Sequence, residues 1–502
     1  MTILKATVAS GHQVVSQAAI EIMDKGGNAY DAVVGAGFAG AVAEPALTSL
    51  GGGGFILARD KRGQEVLFDF FCDTPGKGMD QSDLTPHFFP VTVHFPGCDQ
   101  IFNIGLGSVA VPGNLKGFLH VHQRLGRLDL NQVLAPAIKA ARQGVEMNHH
   151  QSYFLKLLKP IMTMEESGRK LFTPNGHTLA TGERFHNYDL ANFLEHLGSD
   201  PYSIYNGLLA SKIVQDMQKR QGLLTPQDLS SYAVLERQPL ALSYRGRRLL
   251  TNPPPSFGGS LIIMALRILE QLELGQMDWG SPEHVTALAS VLIEVEDLRE
   301  KYGFSTEDID QEWFRETGER IRTFSRGTTH VSVVDSEGNA ASMTTSNGEG
   351  SGYIVPGTGI MLNNMMGEDD LHPLGFHASP AGQRISSMMS PTIIMKGDLP
   401  ELVVGSGGSK RIRTAITQVI SNIIDFKMEI KQAVEAPRIH WDEDTLQVEP
   451  GYSREAIARL EGNWPVNLWQ EKNIYFGGAH AVAPGRGGAG DSRRGGNAAE
   501  SL

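Results

Sequence analysis

One segment near the start of the chain is apolar on every side, and it restricts the fold more than any other. Residues 28–45 read NAYDAVVGAGFAGAVAEP, with alanine, glycine or valine at most positions. A helix without a polar face is stable only in the interior, between other layers of structure. Proline cannot continue a helix, so Pro45 ends it. The segment therefore predicts a helix from about Asn28, buried in the middle of the domain.

Three pairs of segments predict antiparallel strands. In the first pair, four glycines at 51–54 lead into FILAR, and a turn at 61–63 connects this strand to EVLFDFF. In the second, residues 328–345 read TTHVSVVDSEGNAASMTT, two alternating patterns joined by a Ser-Glu-Gly-Asn turn. The third pair is SPTIIM and ELVVGSGG, followed by an amphipathic helix, RIRTAITQVISNIIDF. Strand pairs in both halves with flanking helices favour an α+β fold, with sheets layered between helices.

Composition excludes several classes of function. The 502 residues carry a formal net charge of -12, whereas a nucleic-acid partner requires a basic surface. No apolar run is long enough to cross a bilayer, so we expect no membrane partner. Cys72 and Cys98 are too few for a disulfide framework and are expected to be reduced thiols. The first residues lack the pattern of a secretory signal, which leads us to expect a cytoplasmic location.

The common catalytic motifs are missing from the sequence. It contains no Gly-x-Ser-x-Gly, no His-Glu-x-x-His and no Gly-x-x-x-x-Gly-Lys. A metal-dependent hydrolase would have to use the histidine pairs His120/His122 or His149/His150, and no third ligand is suitably spaced. We therefore expect neither a metal nor a cofactor.

The most informative residues for function surround Thr328. A charged stretch, 294–326, is predicted to be flexible and runs into a strand that starts with this threonine. Cleavage of the Gly327–Thr328 bond would expose an α-amine with a pKa near about 8, which can accept the proton of the threonine hydroxyl. Gly327 is expected to tolerate the strained backbone needed for self-cleavage. Taken alone, two threonines at the start of a strand are usually ordinary strand residues.

The wider pattern changes that interpretation. Gly-Thr-Thr-His-x-Ser-Val-Val-Asp, followed by Gly-Asn, resembles the start of the small subunit of the γ-glutamyltranspeptidases (glutathione hydrolases), which are N-terminal nucleophile hydrolases. The resemblance covers nearly the whole chain in sequence order. The other matching segments are Ala9 to His12, Ser16 to Ala18, Gly26 to Ala32, Glu44-Pro45, Gly51 to Phe55, Val111 to Gly113, Pro253 to Gly259, Thr358 to Asn364, Ser386 to Thr392, Gly405 to Ser409, His480-Ala481 and Gly490 to Gly495.

This resemblance implies an architecture and a reaction. The fold would be a four-layer αββα sandwich, with two antiparallel sheets between helical layers. Residues 1–327 would form the large-subunit segment and residues 328–502 the small-subunit segment, together making one catalytic unit. The protein would be a heterodimer of its own two fragments, and any further assembly is left open. It would cleave or transfer a γ-glutamyl group from a glutathione-type donor, a small-molecule amide or peptide, through an acyl-threonine intermediate.

The resemblance also implies roles at the reacting centre. Thr328 would be the nucleophile and, through its α-amine, the base. Gly407 and Gly408 would offer backbone N–H groups to the oxyanion. A second hydroxyl that supports the nucleophile would come from the strand 344–346, and which of Thr344, Thr345 and Ser346 supplies it is left open.

The residues that resemble the family's donor-binding set are partly altered. Ser386 and Ser387 correspond to serines that hold the donor carboxylate, Asn347 to an asparagine near its amino group, and Glu368 to an aspartate that binds the amino group. Three positions depart from the pattern, the first being Glu368, where the family has aspartate. Phe71 stands where the family has a carboxylate-binding arginine, and phenylalanine cannot form that paired charged contact. Met365 replaces the usual glutamine.

Two alternatives to a γ-glutamyl enzyme therefore stay open. One is an amidohydrolase of the same family with a non-glutamyl acyl donor. The other is a relative that is neither cleaved nor catalytic and acts as a binding protein.

Overall fold

The computed structural model describes residues 6–79, 87–95, 98–302, 327–368, 371–372 and 375–501, with backbone only at 94–95, 98–100 and 300–302. The strands, numbered along the chain, are β1 (Ala6–Ser10), β2 (Gly53–Arg59), β3 (Glu65–Phe70), β4 (Phe89–Phe95), β5 (Cys98–Ile104), β6 (Val145–Glu146), β7 (Arg184–Phe185), β8 (Leu235–Arg237), β9 (Leu240–Tyr244), β10 (Arg247–Thr251), β11 (Thr328–Asp335), β12 (Ala340–Ser346), β13 (Ile354–Val355), β14 (Ile360–Met361), β15 (Thr392–Lys396), β16 (Leu399–Gly407), β17 (Ile439–Asp442), β18 (Thr445–Val448), β19 (Val466–Leu468), β20 (Gly478–Ala483), β21 (Gly487–Ala489) and β22 (Asn497–Ser501).

The α-helices are numbered in the same way. They are α1 (Gln13–Asp24), α2 (Ala29–Ala43), α3 (Asn114–Leu125), α4 (Leu130–Gln143), α5 (His149–Leu157), α6 (Lys159–Met162), α7 (Glu166–Phe172), α8 (Tyr188–Leu197), α9 (Gly207–Lys219), α10 (Pro226–Ser231), α11 (Gly258–Glu270), α12 (Pro282–Tyr302), α13 (Arg411–Ile424), α14 (Ile430–Glu435) and α15 (Arg454–Glu461).

Two larger sheets form the centre of the molecule. The first has seven strands in the order β22-β1-β11-β12-β2-β3-β8, and the second has six in the order β21-β20-β16-β15-β10-β9. Every neighbouring pair in both sheets is antiparallel. Strands β11 and β12 of the first sheet contact β16 of the second. The fold is therefore α+β with several antiparallel sheets, and the three predicted strand pairs are confirmed.

In the first sheet, strands from the two sides of the Gly327–Thr328 bond are intermixed. Strand β1 lies between β22 and β11, and β2 adjoins β12. In the second sheet, β15 from the C-terminal side pairs with β10 from the N-terminal side. Neither side of this bond forms a larger sheet of its own, because each of the two larger sheets contains strands from both.

The apolar segment near the start forms α2, and all its residues are buried. Asn28 caps this helix and Asp31 completes a capping box, which satisfies backbone N–H groups at the helix start. The helix contacts α1, α3 and α4 as well as strands β11 and β12. The predicted buried helix is confirmed, and it supports the strand that begins with Thr328.

Two predicted elements differ in detail from the structure. Helix α13 forms where an amphipathic helix was predicted, yet all its residues are buried, because α11, α14, β16 and β17 contact it. Strand β2 includes two of the four glycines that were predicted to form only the entry turn. A Cβ atom at Gly54 would lie 2.6 Å from the Thr344 carbonyl oxygen, so close strand packing requires glycine there.

Other expectations concern single segments. The charged stretch predicted to be flexible is helical as far as Tyr302, the last residue of α12, and its remainder up to residue 326 lies outside the described residues. Cys72 is a buried free thiol, whereas the side chain of Cys98 lies outside the described part. Within the described chain, no helix combines the length and the apolar character needed to cross a membrane.

Candidate active site

Thr328 and Ser346 face each other at the ends of two paired strands. Thr328 is the first residue of β11, Ser346 is the last residue of β12, and the register pairs them directly. Both are buried, and the Thr328 hydroxyl donates to Ser346 Oγ at 3.4 Å. The two other hydroxyls of this strand have different partners: Thr344 contacts His330 Nδ1 at 2.8 Å, and Thr345 accepts from Thr48 at 3.0 Å. The hydroxyl beside the nucleophile position is therefore that of Ser346.

Ser346 also contacts the bond that would be cleaved. Its hydroxyl donates to the carbonyl oxygen of Gly327, and the backbone N–H of Gly348 donates to Ser346 Oγ at 3.0 Å. On the other side of Gly327, its own N–H donates to Glu349 Oε1 at 3.1 Å. These contacts orient the scissile carbonyl and connect it to the Thr328 hydroxyl through one serine.

Close packing, and not a strained backbone, accounts for glycine at position 327. A Cβ atom there would lie 1.7 Å from the carbonyl oxygen of Gly348, a distance that side chains do not adopt. The φ angle of Gly327 is outside the left-handed region that only glycine readily occupies. In the uncut structure, packing therefore accounts for glycine at this position, and its tolerance of strain during self-cleavage stays a prediction.

Of the two glycines proposed for the oxyanion, Gly407 lies against the backbone of Thr328, and Gly408, the next residue, lies beside Gly477 and Arg494. A Cβ atom at Gly407 would be 2.3 Å from the Thr328 carbonyl oxygen, and Gly408 has a φ of 124°, which favours glycine. Arg494, which sequence reasoning left without a role, donates from Nη1 to the same oxygen at 3.0 Å. The structure therefore brings Gly407, Gly408 and Arg494 together beside Thr328.

Arg494 is positioned by a buried ionic network that involves its neighbour. Arg493 pairs with Glu449 at 2.5 Å and with Asp491 at 3.1 Å, and Arg438 pairs with Asp491 at 2.6 Å. Burial alone would raise the pKa of Asp491, but Arg438 and Arg493 outweigh it and hold that pKa well below its ordinary value. In the sequence, this ionic network is indicated by the two consecutive arginines of the matching segment Gly490 to Gly495.

A second buried carboxyl lies behind the nucleophile strand. Glu44, at the C-terminal end of α2, accepts hydrogen bonds from the Thr329 hydroxyl at 3.1 and 3.0 Å. Burial raises the pKa of Glu44 to about 7, although the Thr329 hydrogen bond and the charge of Arg494 lower it. In the sequence, Glu44 stands out only as part of the matching segment Glu44-Pro45.

A small cavity of about 30 Å³ adjoins Thr328 and Ser346. Six apolar side chains line it, and we refer to them as the apolar wall: Phe71, Met365, Leu371, Met388, Met389 and Ile412. The remaining lining residues are Ser387 and Ser409. Of the two serines proposed to bind a donor carboxylate, Ser387 lines the cavity, whereas Ser386 does not and donates its hydroxyl to the Leu371 carbonyl at 3.1 Å.

Asn347 and Glu368 are both buried, but neither lines this cavity. Asn347 Nδ2 donates to the Leu362 carbonyl at 3.5 Å, and its Oδ1 has no hydrogen-bond partner within the described residues. The Glu368 carboxylate lies beside Gly348, where a Cβ atom would approach its Oε1 to 2.8 Å. Both residues are thus near the turn that packs against Gly327.

Arg384 is close to this region, and its Nε, Nη1 and Nη2 atoms all donate hydrogen bonds. Its Nη1 donates to Asp69 Oδ1 at 2.6 Å, its Nε donates to Asp73 Oδ1 at 2.6 Å, and its Nη2 donates to the Ala233 carbonyl at 2.8 Å. It therefore acts as a structural cation between two aspartates, one of which, Asp69, also pairs with Arg237 at 2.8 Å.

The histidine pairs considered as metal ligands have other contacts. His120 contacts Glu236 at 3.0 Å, and His122 contacts the Leu128 carbonyl at 2.8 Å. Within the described ranges, no group of three or more His, Cys, Asp or Glu side chains is arranged to hold a metal ion.

Comparisons with known proteins agree with this geometry. The family gamma-glutamyltranspeptidase matches residues 15–303 and 305–501. The chain is 33% identical to a glutathione hydrolase proenzyme of Escherichia coli (strain K12), over 90% of this chain and 84% of that protein. It is 31% identical to an acylase ACY 1 proenzyme of Pseudomonas sp. (strain SE83), over 91% and 86%.

Among solved structures, the cephalosporin acylase from Bacillus halodurans superimposes with a TM-score of 0.81 at 25% identity, covering 99% of this chain and 96% of that one. The whole-chain match and the arrangement around Thr328 lead to one conclusion. The chain belongs to the gamma-glutamyltranspeptidase family and is an enzyme that cleaves or transfers an acyl group at an amide bond.

Proposed function

We propose that this enzyme cleaves its own Gly327–Thr328 bond and then uses Thr328 as its nucleophile. The observation that carries the proposal is the chain of hydrogen bonds from the Thr328 hydroxyl to Ser346 and from Ser346 to the Gly327 carbonyl. These hydrogen bonds connect Thr328 Oγ1, the oxygen that would attack, with the Gly327 carbonyl, the group that would be attacked.

Self-cleavage would proceed as an acyl shift from nitrogen to oxygen. Thr328 Oγ1 bonds to the Gly327 carbonyl carbon, the C–N bond breaks, and the amide nitrogen receives the proton that leaves the hydroxyl. Ser346 donates to the carbonyl oxygen as negative charge develops there, which stabilises the transition state. Water then hydrolyses the ester, leaving a carboxylate on Gly327 and a free amine and hydroxyl on Thr328.

In turnover, the α-amine of Thr328 replaces the missing histidine or lysine base. With a pKa near about 8, a useful fraction of such an amine is neutral at pH 7 to 8 and accepts the hydroxyl proton. Thr328 Oγ1 attacks the donor carbonyl, and backbone N–H groups at Gly407 and Gly408 stabilise the oxyanion. The amine product leaves with the proton, and water or an acceptor amine removes the acyl group from the threonine.

The proposal includes the finer architecture. Residues 1–327 and 328–502 would form the two subunits of one catalytic unit, a four-layer αββα sandwich, and they would remain together as a heterodimer. The intermixing of strands from both sides of the bond in the first sheet supports a heterodimer that stays together, because strands of each fragment hydrogen-bond to strands of the other.

For the acyl donor, the family relationship favours a γ-glutamyl, glutathione-type amide. One observation favours the alternative of a non-glutamyl donor: Phe71 and Met365, two of the three residues that depart from the expected family pattern, line the cavity beside Thr328. The reaction type is the same for both donors.

The test of self-cleavage is a denaturing gel with intact-mass analysis of the purified protein. We expect fragments 1–327 and 328–502 from the unaltered protein, one uncut chain from Thr328→Ala, and slower cleavage in Thr328→Ser, which keeps a hydroxyl. Protein that stays full length after prolonged incubation, with no acyl-threonine adduct from any amide donor, would refute the proposal.

A further inference from the structure

The apolar wall determines what can occupy the space next to the nucleophile. Phe71 is 1% exposed and stacks on Phe55, with ring centroids 5.6 Å apart. Such a ring cannot turn away without leaving a void in the core. Met365, Met388 and Met389 are also buried, and their unbranched side chains adapt readily to the shape of a guest. One part of the wall is therefore fixed and another part is adaptable.

A charged head group would find little compensation in this cavity. Among the described residues that line it there is no lysine or arginine. Three cations near it have other roles: Arg384 binds Asp69 and Asp73, Arg494 donates to the Thr328 carbonyl oxygen, and Arg411 donates from Nε to the Tyr475 carbonyl. Lys410, the residue after Ser409, does not line the cavity. A carboxylate moved from water to an apolar surface without a partner is strongly disfavoured.

The hydroxyl groups in the cavity do not compensate for the cost of burying a carboxylate there. Thr328 and Ser346 belong to the reacting centre, and Ser387 Oγ already accepts the N–H of Met389 at 3.1 Å. Hydroxyl groups alone lack the charge needed to hold a carboxylate as an arginine does.

We propose that the acyl site beside Thr328 takes short apolar acyl groups in preference to acyl groups with a charged head group, γ-glutamyl included. This inference rests on the proposed function, since it assigns the substrate class of the same nucleophile. The cavity measures about 30 Å³ with Gly327 still attached, so we limit the acyl group to a short chain.

The reaction is balanced with water as the only co-reactant. Thr328 Oγ1 forms an ester with the acyl carbon, the amide C–N bond breaks, and the leaving amine takes the proton that the α-amine received from the hydroxyl. Water then hydrolyses the ester to a short carboxylic acid and restores the threonine.

The test compares p-nitroanilides of acetic, butyric and hexanoic acid with γ-glutamyl and glutaryl p-nitroanilide, using the self-cleaved enzyme. Burial of each methylene contributes a factor of about four, so kcat/KM is expected to rise about fifteenfold from acetyl to butyryl. We expect the γ-glutamyl and glutaryl compounds to be at least tenfold poorer than the butyryl compound.

Variants at the wall give an independent measurement. Phe71→Arg is expected to lower kcat/KM for butyryl p-nitroanilide at least tenfold and to raise it for the glutaryl compound. Leu208→Arg adds the same charge at an exposed helix position, 92% exposed, and is the matched control, expected to change neither value. If Phe71→Arg does not fold, Met365→Gln and the substrate series on the unaltered enzyme decide the question.

The outcomes separate this inference from the proposed function. Self-cleavage with a γ-glutamyl rate above the butyryl and hexanoyl rates overturns the apolar acyl site and leaves the proposed function in place. Failure of self-cleavage, with no turnover of any of the five compounds, overturns both. A flat response from acetyl to hexanoyl also counts against the apolar site, because burial in the wall would then contribute nothing.

Discussion

A side chain at Gly327 would collide with the backbone of Gly348, since a Cβ atom would lie 1.7 Å from that carbonyl oxygen. Gly327→Ala must therefore displace either the scissile carbonyl or the turn after β12. We expect self-cleavage to slow by at least a hundredfold, because a displacement of about 1 Å in a reacting group can cost that much. Densitometry of the two fragments over time measures the rate.

The matched control for this change is Gly275→Ala. A Cβ atom there would make an ordinary contact, 3.6 Å from the Asp425 carbonyl oxygen. Cleavage at the normal rate in Gly327→Ala would show that the tight packing has no part in aligning the bond.

Removal of the Ser346 hydroxyl is expected to slow self-cleavage, measured by the appearance of the two fragments over time. This hydroxyl donates to the Gly327 carbonyl and accepts from Thr328, so Ser346→Ala removes one donor at the developing oxyanion. Loss of such a donor typically reduces the rate by about 10² to 10³. Ser346→Thr keeps a hydroxyl and should recover part of the rate. Ser290→Ala, at an exposed helix position, should behave like the unaltered protein.

Glu44 should make the protein less stable as the pH rises. Burial raises its folded-state pKa to about 7 from a reference value of 4.5. Between these values the unfolded carboxyl is ionised while the folded one keeps its proton, so the free energy of unfolding falls as pH increases through this window and is constant above it. At about 1.4 kcal/mol for each pKa unit, the loss between pH 5 and 8 is about 2 to 3 kcal/mol.

Urea unfolding of the uncut Thr328→Ala protein at pH 5 and pH 8 measures this effect. Adding Glu44→Gln, whose amide does not titrate, should remove most of this fall in the free energy of unfolding between pH 5 and pH 8. Adding Glu461→Gln at an exposed position should leave the loss unchanged. An equal pH dependence in the Glu44→Gln protein would mean that another group is responsible.

Arg384→Met should destabilise the fold far more than loss of an exposed ion pair. It leaves Asp73 without its cation and Asp69 with Arg237 alone, and breaking a buried pair typically costs about 3 to 5 kcal/mol. Arg248→Met is the control, because the Arg248 side chain is 54% exposed and its pair with Glu65 is expected to contribute less than about 1 kcal/mol. Urea midpoints report both changes, and equal midpoints would contradict the structural role assigned to Arg384.

Local patterns in the sequence were sufficient for the main elements. The apolar segment before Pro45 gave α2, and alternating residues from Thr328 gave the hairpin that ends at Ser346. Such patterns depend on neighbours along the chain, and they are strong where one element is uniformly buried or alternates regularly.

Contacts between distant segments could not be predicted in this way. The choice of Ser346 over Thr344 and Thr345 depends on strand register, and the collision at Gly327 depends on how the turn after β12 folds back. The position of Arg494 depends on ion pairs to Asp491 and Glu449 made by its neighbour. Arg384 likewise gave no sequence signal that it would neutralise Asp69.

The order of strands in the first sheet has a consequence for folding before and after the proposed cleavage. Since β1 lies between β22 and β11, the hydrogen bonds on both its edges come from the far side of the Gly327–Thr328 bond. If the bond is cut as proposed, β1 would form its hydrogen bonds while its partners still share one covalent chain with it. A heat-denatured molecule of the cut protein would then have to regain its other half by diffusion, and its refolding would depend on protein concentration.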